Sequence, residues 1–128
     1  MIFNLMFLLV AFHSLCDTSL QSAQQAKNKR RKEPIDMSKV PAGQQPIKLW
    51  GYSMTHHSFI QGLGVFFSVF IVTGDLNLSV LFGTIEVICH WTIDFLKSEC
   101  YFNCDVDQML HLITKFIYAI CLFKMGVL

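Results

Sequence analysis

The sequence predicts an all-α integral membrane protein, a four-helix bundle with one long polar loop between helices one and two. Three observations predict it. Of 128 residues, 53% are hydrophobic, 15% are charged and twelve are Phe, which excludes a disordered chain, because disorder needs low hydrophobicity with high net charge. The charges are bunched, with none in residues 1–16 or 57–73 and five bases gathered at Lys27, Lys29, Arg30, Arg31 and Lys32. Between these groups, apolar runs recur near the length a helix needs to cross a hydrocarbon core, about 20 residues with a lower limit of about 17. A chain of this length has room for one domain, residues 1–128.

Each element follows from local signals. The first apolar run is short for a span, but Ala23, Gln24, Gln25 and Ala26 permit helix beyond Asp17, so helix one is expected over about 2–26. This run has the length of a signal peptide. It lacks a positive leader, Ser14-Leu15-Cys16 is a poor cleavage pattern, and the bases follow the apolar run, so a retained helix is expected. Residues 27–55 are expected as a loop, since Pro34, Pro41 and Pro46 preclude continuous helix. Helix two is expected over 56–73, where Gly62 and Gly64 suit close helix packing. Gly74-Asp75-Leu76-Asn77 reads as a tight turn. Helix three is expected over 77–97, interrupted only by Glu86, His90 and Asp94, and helix four over 107–126 after a second polar loop. In lipid the backbone must bond within its own segment, so these runs are helices if they span. Segments two to four are apolar around their whole circumference, which argues against a soluble bundle.

Lys/Arg-rich short loops stay on the cytoplasmic side. The stretch from Lys27 to Lys48 holds seven Lys/Arg and the 74–77 turn none. Both termini are therefore expected outside and the longer loops inside, in a bacterial-type cytoplasmic membrane; Lys124 weighs mildly against this. The polar positions then converge. His13, Asp17 and Gln21 stand at i, i+4, i+8 near the inner end of helix one, with His56 and His57 at the inner start of helix two. Glu86, His90 and Asp94 repeat the spacing on helix three, followed by Lys97, and Asp107, Gln108 and His111 open helix four. Residues four apart share a helix face, so four polar stripes are expected to meet in one leaflet.

Such groups cost about 2.5–3.5 kcal/mol each at a helix centre, which favours pairing or a wet cavity. His nitrogens with Asp/Glu oxygens suit zinc, iron or manganese. On that chemistry His13, Asp17, His57, His90, Asp94 and His111 are candidate metal ligands. Glu86 or Asp107 is a candidate general base, and Lys97 is placed to steady an anionic substrate. The plainer alternative is hydrogen bonding at i, i+4 together with an Asp94–Lys97 ion pair.

Four blocks in order carry a resemblance over residues 1–115: His13-xxx-Asp17-xx-Leu20-Gln21 with Lys27, Thr55-His56-His57, Glu86-xxx-His90-xx-Ile93-Asp94-xx-Lys97, and Asp107-Gln108-xx-His111-Leu112. Together they resemble domain of unknown function family 3307, small bacterial and phage membrane proteins. The resemblance implies a multi-helix membrane protein in which segment one belongs to the domain. The proline-bearing 33–48 stretch departs from the family's pattern, and Thr18 stands where an aromatic often follows the first Asp.

Other chemistry is thinly represented. There is no phosphate loop, nucleophile elbow or dinucleotide fingerprint. Formal charge of +1 gives no field for nucleic acid, and five cysteines do not suggest a disulfide scaffold. Cys100-xxx-Cys104 has a zinc-compatible spacing but no second pair to complete a structural site, and the basic cluster could bind anionic lipid head groups. Two readings follow. One is an envelope-associated membrane protein whose stripes serve helix association with a protein partner or a second copy. The other is a metal-dependent hydrolase at the inner leaflet.

Overall fold

Apolar residues spaced at helical period, broken by prolines and capped turns, give a chain whose described residues contain helices and no strand. The computed structural model describes residues 1–32 and 34–128. Helix α1 (Ile2–Ser14) runs on into a π-helical turn, Leu15–Ser19; α2 is short (Ala23–Asn28); α3 is Trp50–Thr73, α4 Leu76–Ser98 and α5 Cys104–Lys124. Counting α1 with its π turn, four helices are long and apolar enough to cross a membrane.

The boundaries differ from the sequence expectation for identifiable reasons. Helix one does not run unbroken to residue 26. The Leu20 amide donates to the Leu15 carbonyl, five residues back, and the Thr18 hydroxyl donates to the Ser14 carbonyl, a side-chain bond that loosens a helical ladder. Ser22 then turns extended and its hydroxyl accepts from the Gln25 amide, starting α2 as a separate helix. Helix α3 begins six residues earlier than expected because its first turn has partners on α4: Trp50 packs on Phe95 with ring centroids 6.1 Å apart, and the Trp91 indole donates to Thr55. Between α3 and α4, Gly74 takes a left-handed φ of 68° and Asp75 caps α4 through the Leu78 amide. Asn103 caps α5 in the same way, which moves its start to Cys104.

The four long helices close a ring in the order α1, α3, α4, α5. The closest approach is between α3 and α4: a Cβ on Gly62 would lie 2.5 Å from a Val87 methyl and 2.8 Å from the Gly83 carbonyl oxygen. Two residues on, on the opposite side of α3, a Cβ on Gly64 would meet Phe12 of α1 at 3.2 Å. Small residues thus bring α3 against both neighbours at the level where the polar residues lie.

The ring has two halves. At one end Leu5, Leu9, Val65, Val69, Phe82, Tyr118, Ala119 and Leu122 form an apolar core. At the other, the interior is polar and ionic. Among the described residues thirteen buried side chains are polar or charged against ten hydrophobic ones. Meanwhile Phe3, Phe7, Phe59, Leu63, Ile88 and Phe123 are all more than half exposed. Inside and outside are inverted relative to a water-soluble bundle.

The segment between α1 and α3 is tied to the polar end. Arg31 donates through Nε and Nη2 to the two carboxylate oxygens of Glu99, each at 2.9 Å, and Lys32 reaches the same carboxylate at 2.9 Å. Lys48 donates to the Arg31 carbonyl at 3.2 Å. Three members of the basic cluster, Lys29, Arg31 and Lys32, are therefore engaged within the chain.

Two predictions follow from this packing. Gly62→Ala forces α3 and α4 apart and lowers stability by about 1–3 kcal/mol, read as an earlier thermal transition in detergent; Gly51→Ala, with nothing within 4 Å of its added Cβ, does not lower it. Hydrogen bonds from Arg31 and then Lys32 hold the Glu99 carboxyl down to about 2 from its usual 4.5. A depressed acid stabilises above its unfolded pKa, so this tether is intact above about pH 4.5 and is lost as pH falls towards about 2. Carboxyl-detected NMR should titrate Glu99 at the lower value, and Glu99→Gln at neutral pH should speed tryptic cleavage at Arg30–Lys32.

Candidate metal centre

Four helices deliver the polar side chains in register. The end of α1 and its π turn supply His13 and Asp17, α3 supplies His57 and Gln61, α4 supplies Glu86, His90 and Asp94 on successive turns, and α5 supplies Asp107, His111 and Lys115 likewise. Because α4 and α5 run antiparallel, Asp94 at the loop end of one faces Asp107 and His111 of the other, while Glu86 faces Lys115 deeper in the bundle. Lys29, from the turn that closes α2, reaches over the loop end and puts its ammonium 2.6 Å from Asp94 Oδ2.

The contacts are mostly ionic. Lys115 donates to Glu86 Oε1 at 2.5 Å and Lys97 to Asp107 Oδ2 at 2.6 Å. Asp17 accepts from Gln108 at 3.0 Å and lies 3.1 Å from His57 Nε2. His90 stands between two carboxylates, Nδ1 at 3.4 Å from Glu86 and Nε2 at 3.7 Å from Asp94. His111 Nε2 lies 3.6 Å from Asp94 and 3.5 Å from Asp107. The His90 and His111 rings stack with centroids 4.0 Å apart. Burial is graded: Glu86 and Lys115 are sealed, whereas Asp17 and Lys97 keep 18% and 33% of their side-chain surface at the rim.

Three groups of donors converge within 4.8 Å: Asp17 with His57 and His90, Glu86 with His90 and His111, and Asp94 with Asp107 and His111. In and around these groups several buried atoms have no hydrogen-bond partner, namely His13 Nε2, His57 Nδ1, both ring nitrogens of His90 and of His111, Glu86 Oε2 and Asp107 Oδ1. Buried polar atoms rarely stay unpartnered. Imidazole nitrogens and carboxylate oxygens at this density fit a divalent first-row transition metal.

The sequence-derived site residues fall into distinct surroundings. Asp17, His57, His90, Asp94 and His111 come together in the donor groups, whereas His13, although its ring lies 5.2 Å from that of His111, joins none of them and bonds through Nδ1 to Gln61 at 3.2 Å. The two carboxylates considered as bases are both donor-group members and both hold a lysine, Glu86 with Lys115 and Asp107 with Lys97. The i, i+3 ion pair expected for Asp94 and Lys97 is replaced: Lys97 goes to Asp107 and Asp94 takes Lys29. His56 is exposed and lies 3.1 Å from Gln25. Cys100 and Cys104 are exposed free thiols outside the donor groups.

Three contributors were missed by reading the stripes alone. Gln61 and Lys115 each lie four residues beyond a site histidine and were legible by that spacing. Lys29 had no such signal, since 65 residues separate it from Asp94. Compared with known proteins, the chain matches no family model, no curated protein and no solved structure.

The sealed Glu86–Lys115 pair gives a stability prediction. Lys115→Met leaves a carboxylate buried without its cation and should cost about 3–5 kcal/mol, whereas the double variant Lys115→Met with Glu86→Leu should recover most of the loss. Thermal unfolding of the wild type and the two variants in one detergent checks it.

Proposed function

We propose that the chain spans a membrane four times, with the polar half at the cytoplasmic boundary, and acts there as a metal-dependent hydrolase on an anionic substrate. The observation that carries this reading is the set of buried, unpartnered donor atoms on His57, His90, His111, Glu86 and Asp107. A buried donor or acceptor left unmade costs about 1–3 kcal/mol, and one divalent cation satisfies several at once. Polar stripes that served helix association alone would leave these atoms without partners.

Three further features support the proposal. The apolar exterior suits lipid, and the seven Lys/Arg between Lys27 and Lys48 favour a cytoplasmic position for that segment. Charge points to the substrate class. Lys29, Lys97 and Lys115 repel a dication, so a site that merely stored metal would be better without them. Against Asp17, Glu86, Asp94 and Asp107 they leave one net negative charge with neutral imidazoles; a dication makes it one positive charge, which an anionic substrate offsets. Lys97, a third exposed beside Asp107, is placed to receive that anion from the rim. A bound metal lowers the pKa of water to about 7 and so supplies a nucleophile at neutral pH without a dedicated base. Membership of domain of unknown function family 3307 belongs to the same proposal and rests on the four polar blocks.

Elemental analysis of the detergent-purified chain tests the reading. At least one transition-metal ion per chain is expected, with affinity reduced by about 100-fold or more in His90→Ala at retained helicity. Metal-loaded wild type should hydrolyse an anionic ester and the stripped protein should not. Wild type that takes up no metal overturns the proposal. Reporters at Ser38 and Asn103 are expected on the cytoplasmic side and one at Asp75 on the other.

A further inference from the structure

We propose that the polar half is a two-cation site in which the Asp94 carboxylate bridges the ions and the Lys29 ammonium competes for one position. This rests on the metal reading above and deepens it. Two of the donor groups share no residue: Asp17, His57 and His90 on one side, Asp94, Asp107 and His111 on the other. Asp94 stands between them with its two oxygens divided. Oδ2 faces the first group, 3.8 Å from His57 Nε2 and 3.7 Å from His90 Nε2, and Oδ1 faces the second, 3.6 Å from His111 Nε2. One oxygen towards each group is the arrangement of a carboxylate that spans two metals about 3.5–4 Å apart.

The spacings support ligation over hydrogen bonding. They exceed the 2.7–3.2 Å of an N–H···O bond. Ligand atoms bonded at about 2.0–2.2 Å to one tetrahedral ion lie about 3.3–3.6 Å from each other, and in the second group the His111–Asp107 and His111–Asp94 separations are 3.5 and 3.6 Å. His90 and His111, one in each group, are buried with both ring nitrogens unpartnered.

Lys29 explains how the pair is controlled. Its ammonium is a cation already seated on Asp94 Oδ2, the oxygen that belongs to the first position. It comes from the turn after α2 and not from a long helix, so it can withdraw without unpacking the bundle. Withdrawal also removes one of the three ammonium charges that a second dication would face. Binding of the second ion and release of Lys29 are thus the same event, and they free the α2 segment at one of its anchors.

The test uses the full chain, stripped of metal in detergent and titrated with Mn2+, read by elemental analysis and electron paramagnetic resonance. Two ions per chain with an exchange-coupled spectrum are expected. His57→Ala should keep one ion with an isolated-ion spectrum, and Lys29→Met, outside the long helices, should bind the second ion about tenfold or more tightly. One ion per chain in the wild type overturns the pair while the single-metal reading stands; no ion overturns both. Two uncoupled ions overturn the Asp94 bridge, and unchanged affinity in Lys29→Met overturns the competition.

Discussion

Charge placed inside an apolar shell must be matched locally, and the arrangement of this bundle follows from that constraint. Glu86, Asp94 and Asp107 are enclosed and Asp17 is largely so, and each takes a partner from another element. Glu86 takes Lys115, Asp107 takes Lys97, Asp94 takes Lys29, and Asp17 takes His57 with Gln108. Antiparallel α4 and α5, each carrying ionisable groups on successive turns, can satisfy this in few registers. Sliding one helix by a turn would set Glu86 beside His111 and leave Lys115 among apolar side chains. The ionic half therefore fixes the axial alignment that apolar packing alone leaves loose.

Two backbone features make the matching geometrically possible. Gly62 and Gly83 let α3 and α4 approach until their backbones nearly touch, which brings His57 of one within 5.0 Å of the His90 ring of the other. The π turn at Leu15–Ser19 changes the angular progression just where Asp17 must meet His57. A π turn costs helical regularity and recurs at functional sites; here its position coincides with the rim of the donor cluster. The apolar half, with the Phe82–Tyr118 edge-to-face contact at its centre, provides the rigid end against which the polar half is held.

The same matching links the loop to the site. Lys29, Arg31 and Lys32 place three positive charges along the loop end of α4, on Asp94 and Glu99. A basic cluster is ordinarily read as a topological marker or a lipid-binding patch, and both uses treat its charges as available to solvent or head groups. Here Lys29 reaches Asp94 of the donor cluster, while Arg31 and Lys32 hold Glu99 just beyond the end of α4. These ion pairs anchor the start of the connection between α1 and α3 to the polar end of the bundle.

Helical period, run length and charge bunching determined that the chain makes four long apolar helices and that polar groups lie four residues apart on each. Those are properties of neighbouring residues, and a helix face is set by local spacing. The positions of Asp17, His57, His90, Asp94 and His111 were legible for that reason, as Gln61 and Lys115 would have been by extending the same stripes one turn. The partners of these residues were not legible. That Lys97 chooses Asp107 over Asp94, that Lys29 crosses from the loop, and that His13 turns to Gln61 depend on interhelical distances of a few ångströms. Tertiary structure alone decided these pairings, because a buried charge selects whichever opposite group the packing brings within reach, and sequence spacing carries no information about that distance.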